Sequence, residues 1–263
     1  MYSFDIERPK SVADAVAALG ADEAQPIAGG QTLIPTLKQR LASPSKLVAL
    51  SGIEEMKYVR RDGDTLVIGG GTTHGTIARE TAEHFPGLAG LAARIGDPAV
   101  RNRGTIGGSI ANNDPSACYP SAALACGATI VTDKREIAAD DYFQGMFMTA
   151  LEEGEIVTEI RFPIPEKSAY MKFEQIASRF PLVGVFVAKF ADKVGVGVTG
   201  ASNDGVFRWS EAEQALGSNF AADAVSGLTA PDASDMISDL HGTGAYRAHL
   251  VGVMTKRAVA AAS

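Results

Sequence analysis

The sequence predicts an α+β protein, and a contrast between its two parts predicts it. Up to about residue 166, short apolar strands alternate with helical stretches and glycine-rich turns. Beyond that point β-rich segments follow one another at short spacing and helices come only afterwards, the pattern of an antiparallel sheet with helices on one side. The prolines of EIVTEIRFPIP, residues 155–165, mark the change. Three units are expected: α+β over 1–52, a second α+β unit over 53–166, and sheet plus helices over 167–263.

In the first unit, Ser11 with Asp14 three residues on starts the helix SVADAVAAL, which buries Val12, Val16 and Leu19 and stops at Gly20. QPIAGGQTLIPTLKQR, residues 25–40, reads as strand, glycine turn and helix start. Leu33, Ile34, Leu37 and Leu41 share a helical face, and Pro44 closes the helix. KLVAL at 46–50 is a buried strand.

In the second unit, KYVRRDGDTLVIG, residues 57–69, is a hairpin with Asp62-Gly63 at its turn. TLVIGGGTTHG with the helix TIARETAEHF behind it mimics a dinucleotide fingerprint. The step from Gly71 to Gly75 is one residue too long for G-x-G-x-x-G, and no βαβ repeat surrounds it, so a nicotinamide site is not expected there. His74 at that helix start has two readings, a pocket residue or a structural hydrogen-bonding one. The helix GLAGLAARIG, 87–96, leads into RNRGTIGGSIANNDPSAC, 101–118, followed by a helix in YPSAALACG and the strand ATIVT at 128–132. The third unit offers the strands AYMKFEQIA, LVGVFVAKF, VGVGVTGAS and GVFRW, then helices in WSEAEQAL, ASDMISDL and 246–262.

The stretch 101–118 carries the chemistry. Gly104, Gly107 and Gly108 stand among Asn102, Asn112, Asn113 and Asp114, with few large apolar side chains. Such a run is either a surface loop of two turns or a backbone cradle that presents several N–H groups to one anion. Gly29-Gly30 runs into a helix start with free N–H groups of its own. Two such loops suggest one extended ligand with a diphosphate in its middle.

Composition narrows the classes. A net charge of −7 argues against a nucleic-acid surface, and no run of 18 apolar residues points to a membrane span. The start, MYSFDIERPKSVADAV, does not read as a signal peptide. The two cysteines, Cys118 and Cys126, suit a reducing, cytoplasmic setting and are too few for an iron–sulfur cluster, which takes about four ligands. No nucleophile–base pair is evident. The four histidines, His74, His84, His241 and His249, are scattered without metal-ligand spacing, so no catalytic and no metal-binding residue is assigned.

AGGQTLIPTLKQRLASPSKLVAL, IGDPAVRNRGTIGGSIANNDP and TALEEGEIVTEIRFPIP together resemble the FAD-binding medium subunit of molybdenum hydroxylases, the group of aerobic carbon monoxide dehydrogenase and the xanthine dehydrogenases. The likeness extends to DLHGTGAYRAHLVGVMTKRAV near the C-terminal end. It implies a two-part FAD-binding domain of the vanillyl-alcohol oxidase/PCMH type followed by the antiparallel sheet and helices. It also implies non-covalent FAD. The cofactor-binding residues it points to are Ile27, Ala28, Gly29, Gly30, Gln31, Thr32 and Leu33, and then Gly104, Thr105, Ile106, Gly107, Gly108 and Ser109. Ile95, Ile156 and Val157 follow as apolar contacts, and Lys172 as a polar contact from the third unit. Phe180 is either an aromatic near the flavin ring or a sheet-core residue. Where many relatives carry aspartate after the second loop, this chain has Cys118, whose thiol is a weak acceptor, so that Asn113 or Asp114 is expected to take over.

By the same resemblance, a large partner subunit holds a molybdenum cofactor and a small one holds two [2Fe-2S] clusters, in a dimer of heterotrimers. Electrons reach this FAD from the clusters and leave to an external acceptor such as NAD, quinone or oxygen. A stand-alone FAD-dependent oxidase or reductase of the same superfamily is the alternative, and a scaffold protein that has lost flavin is a third reading. With no basic cluster to meet two phosphates, main-chain donors must do so. Each such bond contributes about 1.5–3 kcal/mol, and a helix dipole about 0.3–1 kcal/mol.

Overall fold

The computed structural model describes residues 1–262. The first sheet is parallel, in the order β1 (Asp5–Glu7), β3 (Lys46–Ala49), β2 (Ala24–Ile27). Helix α1 (Val12–Leu19) crosses from β1 to β2, capped by the Ser11 hydroxyl on the Asp14 N–H. It buries Ala15, Ala18 and Leu19 and leaves Val12 and Val16 half-exposed, because small alanines let it lie close on Val48 of β3. Helix α2 (Leu33–Lys38) is shorter than expected. It ends well before Pro44: Arg40 adopts φ 60°, the Leu41 N–H bonds to Thr36 O and the Arg40 N–H to Leu37 O. That pairing is the Schellman end of a helix, and it leaves Leu41 exposed.

The second sheet is antiparallel, in the order β4 (Val59–Asp62), β5 (Thr65–Gly69), β10 (Val157–Pro163), β6 (Thr129–Thr132), β7 (Glu136–Ala138). Gly63, with φ 59°, turns the β4–β5 hairpin. Between β5 and β6 run α3 (His74–Glu80), α4 (Pro86–Ala93), α5 (Pro98–Arg101), α6 (Ile106–Asn112) and α7 (Tyr119–Cys126). After β7 come the one-turn helix α8 (Ala139–Tyr142) and a small hairpin, β8 (Phe143–Gly145) with β9 (Met148–Thr149). Neither α8 nor this hairpin was expected.

The third sheet is an antiparallel meander of β11 (Lys167–Glu174), β12 (Pro181–Lys189), β13 (Val194–Ser202) and β14 (Gly205–Arg208). Helices α9 (Ser210–Ser218) and α10 (Gly244–Ala261) cover one face. The expected helix in ASDMISDL is absent. Only Ala233–Asp235 make a single 3-10 turn, because Met236 bridges to Ser202 and the Ile237 N–H bonds to Ala201 O, extending the sheet edge instead.

The other face of the third sheet meets α7, all eight of whose residues are buried. A Cβ on Gly195 or Gly197 of β13 would strike the main chain at Ala125 or Ser121, so glycine lets helix and strand touch backbone to backbone. Overpacking of this kind costs about 1–3 kcal/mol. Gly197→Ala should therefore lower the unfolding free energy by that amount, seen in urea unfolding as a lower midpoint with an unchanged slope. An unchanged midpoint would show that α7 has room to retreat.

Candidate functional site

One elongated cavity of about 920 Å³ runs between the first and second sheets. It is built where three glycine-bearing segments meet. The first follows β2: Ile27 ends the strand, Gly29 and Gly30 turn the chain (φ 71° at Gly30), and Thr32 leads into α2 without a side-chain cap of its own. Among the described residues, the consecutive backbone N–H groups of Gly29, Gly30, Gln31, Thr32 and Leu33 donate to no protein acceptor. All five residues line the cavity. Free donors on a concave wall are the signature of an anion site. With only six residues, α2 adds a small dipole; the amides themselves carry the attraction.

The second glycine stretch does a different job from the one expected. It is the start of α6 rather than a pair of turns, and its amides are already engaged. Thr105 Oγ1 accepts from the Gly108 N–H, Thr72 O from Ile106, Gly70 O from Gly107 and Thr105 O from Ser109. The reason is an antiparallel bridge between Thr73 and Thr105 that brings the two segments side by side. The stretch therefore supplies a smooth, side-chain-free wall instead of donors. Gly104 has no room for a Cβ beside the His74 ring, and one on Gly29 would strike the main chain at Arg103 and Gly104. Gly108 differs: a Cβ there would crowd a side chain rather than main chain, Thr105 Oγ1 at 3.0 Å, and face Ala28 of the first loop at 3.7 Å.

The third segment, Gly70 to Thr73 with His74, was set aside in the sequence as a false dinucleotide fingerprint, yet all of it lines the cavity. Its signal was present, a strand running into glycines and a helix start. Spacing ruled out one fold's use of that pattern and not the pattern itself. Tyr58, Met56, Leu50 and Ser51 complete this end of the wall and carried no signal. The Tyr58 hydroxyl is fixed on Glu159 at 2.5 Å, and Arg60 stands over its ring at 5.8 Å.

Of the residues expected at the site, all line the cavity except Ile106, Asn113, Cys118 and Lys172. Ile106 is a core residue of α6. Asn113 ends α6 in the left-handed region (φ 42°), and its amide donates to Gly145 O and Met148 O, clamping the β8–β9 hairpin. Asp114, beside it, does reach the cavity. Cys118 lies behind the wall formed by Ala117, and burial pushes its thiol up. The Lys172 ammonium donates to two main-chain carbonyls, Arg94 O and Arg179 O. Phe180 sits half-buried on the wall, edge-on to His241 at 5.5 Å, and not in the sheet core.

Two titratable groups on the wall are held in one state. Burial would raise the Glu155 carboxyl, but bonds from Arg135, the Glu152 N–H and Thr132 outweigh it and hold it at about 2. Burial, with a smaller push from the Arg101 charge, lowers His74 to about 4, so its imidazole is neutral near pH 7. The residue is 5 % exposed and its ring packs on Tyr119 at 5.3 Å with Nδ1 unpartnered, while the main-chain N–H of His74 donates to Gly104 O. Of the two parts open to it in the sequence, the side chain takes the place of a cavity-lining residue, and the structural hydrogen bond at this position is made by its main chain.

The family profile described as the FAD binding domain in molybdopterin dehydrogenase matches residues 2–165. The chain is 35% identical to the carbon monoxide dehydrogenase medium chain of Afipia carboxidovorans, over 98% of this chain and 96% of that one. It is 33% identical to the nicotine 6-hydroxylase medium subunit of Paenarthrobacter nicotinovorans, over 95% and 94%. In structure it is similar to a chain of reconstituted CO dehydrogenase from Oligotropha carboxidovorans, with a TM-score of 0.87 at 35% identity over 98% of this chain and 96% of that one.

A buried neutral histidine predicts an acid-linked loss of stability. Between its ordinary value of 6.5 and about 4, the unfolded chain takes up a proton that the folded chain refuses. Stability therefore falls as pH drops through that window, by roughly 3 kcal/mol in all. His74→Gln lacks this term. The stability advantage of the wild type over the variant should shrink by that amount from pH 7 to pH 4 in urea titrations; a constant difference would mean that His74 titrates normally in the folded protein.

Proposed function

The chain belongs to the family of FAD-binding domains in molybdopterin dehydrogenases, and we propose that it is the flavoprotein medium subunit of a molybdenum hydroxylase, a component of an oxidoreductase complex. The observation that carries the reading is the row of five unpartnered amides, Gly29 to Leu33, on a cavity large enough for a dinucleotide. FAD, when bound, supplies the electron-transfer chemistry between iron–sulfur clusters of a partner subunit and an external acceptor.

This chain's residues bind, orient and shield. The amides of Gly29 to Leu33 meet the anionic oxygens, each bond contributing about 1.5–3 kcal/mol. Gly104 and Gly107 let the wall close on the His74 ring and the Gly70 main chain, and Gly108 keeps the wall facing Ala28 free of a side chain. Ile27, Leu50, Met56, Ile95, Ile156, Val157 and Phe180 line the cavity with apolar surface that keeps water out. Thr32, Ser109, Asn112 and Asp114 offer hydroxyl, amide and carboxylate groups along the same wall. Glu155 stays charged but neutralised by Arg135, so it does not repel the phosphates.

The complex we infer pairs this chain with a large molybdenum-cofactor subunit, which selects the substrate, and a small iron–sulfur subunit, as a dimer of heterotrimers in the cytoplasm. The full-length likeness to medium chains of such dehydrogenases supports the pairing, and two buried unpaired thiols suit a reducing compartment. Among the described residues no helix is long and apolar enough to cross a membrane.

The purified chain should be yellow and release its flavin into the supernatant on acid precipitation. A colourless chain that cannot be reconstituted with FAD would sink the reading, and flavin remaining in the pellet would sink non-covalent binding. Two neighbouring glycines separate site from scaffold. Gly108→Val crowds Thr105 Oγ1 and points toward Ala28, and should cut FAD content at least about tenfold with a smaller loss of stability than Gly107→Ala, since a side chain can shift where main chain cannot. Gly107→Ala meets the Gly70 main chain and should instead cost about 1–3 kcal/mol of stability. Flavin absorbance per protein and unfolding midpoints distinguish the two. In turnover assays with carbon monoxide, purines and aldehydes, the lone chain should show no substrate-dependent flavin reduction. Reduction by the chain alone would favour the stand-alone flavoenzyme.

A further inference from the structure

The loop from 175 to 180 joins β11 to β12 and delivers Phe180 to the cavity wall. It closes on itself through Arg179 N–H to Gln175 O at 2.7 Å and Gln175 N–H to Phe180 O at 3.0 Å. Its outer part is bare: Ile176 is 98% exposed. Arg179 sits at φ 62°, a conformation that a residue with a Cβ keeps only where its surroundings enforce it. Ile95, which also lines the cavity, follows the C-terminal end of α4.

Between these two segments lies Lys172, 6% exposed. Its Nζ donates to Arg94 O at 2.6 Å and to Arg179 O at 2.5 Å, the carbonyls directly before Ile95 and Phe180. The embrace is reciprocal. The Arg94 guanidinium donates back to Lys172 O, and it pairs with Glu174, two residues along β11, at 2.8 Å. Bonds from a charged donor to main-chain carbonyls in a desolvated setting belong to the strong class. An ammonium that gives two of its three protons to backbone, behind the wall, is held in place by this chain's own main chain.

We propose that Lys172 is a positioning residue whose ammonium staples the 175–180 loop to the end of α4 and thereby sets two walls of the cavity, Ile95 and Phe180. The staple rests on hydrogen bonds that this chain makes by itself; its link to a ligand rests on the flavoprotein reading above. On this view Lys172 governs FAD affinity at second hand, and its loss loosens the loop as well as the ligand.

The test compares the full chain with Lys172→Met, which removes the donors, and Lys172→Arg, which keeps a cation and several donors. One readout is the rate of tryptic cutting after Arg179 in FAD-free protein, followed by mass spectrometry. The other is the FAD dissociation constant, from titration of the apoprotein. Lys172→Met should be cut after Arg179 about tenfold faster or more and bind FAD about tenfold more weakly or worse, with Lys172→Arg recovering part of both. Weaker binding with unchanged cutting would overturn the proposal and make Lys172 a direct contact. Faster cutting with unchanged affinity would overturn the link between staple and cavity. A wild-type chain that binds no FAD sinks the flavoprotein reading, and the cutting rates then decide the staple alone. If Lys172→Met does not fold, Lys172→Gln, which can reach one carbonyl but not both, takes its place and should open the loop to an intermediate degree; wild-type cutting in that variant would overturn the staple.

Discussion

The cavity exists because main-chain segments approach each other more closely than side chains allow. Gly29 lies on Arg103 and Gly104, Gly107 on Gly70, and Gly70 on Val157. These contacts join the first unit to the second and fix the start of α6 against the segment after β5. Gly104 also lies against the His74 ring, whose burial lowers its pKa to about 4 and favours the neutral form near pH 7. Replace any one of these glycines with a residue bearing a Cβ and the neighbouring backbone must move. The site and the junction between the units are therefore the same object.

The electrostatic solution follows from that crowding. A chain of net charge −7 that holds an anionic ligand in this cavity has, among the described residues, only Lys57 and Arg103 as cations along its lining, and the free amides of Gly29 to Leu33 outnumber them. It uses peptide dipoles, which are small, fixed and need no counter-charge. The one carboxylate buried in the wall, Glu155, is answered from behind by Arg135. The division of labour between the loops is economical: the first leaves its amides free, and the second uses its own to lock the scaffold.

Much of this was legible in the sequence, and the illegible parts share a cause. Glycine runs beside strands and helix starts located two of the three cavity segments, since a glycine run at such a junction is a local signal. The third, Gly70 to His74, was visible but measured against the spacing of an unrelated fold. Ile106, Asn113, Cys118 and Lys172 sit within or near the right stretches, and what separates a wall residue from one behind it is the direction of its side chain, which only the packed structure fixes. The missing helix at ASDMISDL and the short α2 show tertiary pairing and a left-handed arginine overriding apolar periodicity. Tyr58 and Met56 left no trace because an ordinary strand-edge sequence becomes a wall only when another unit is laid against it.

Helix α7 carries a consequence for how such chains diverge. The family profile ends at residue 165, but α7 inside it is covered on one side by β12 and β13, which lie outside it. The contact is made by Gly195 and Gly197 against Ser121 and Ala125, with no side chain between the two backbones to absorb a change. A larger residue on either partner is tolerated only if the other retreats. The two halves of the chain are thus bound to a shared history: substitutions in α7 and β13 must arise as matched pairs, and a C-terminal domain from one lineage will not seat on the flavin-binding half of another unless this seam travels with it.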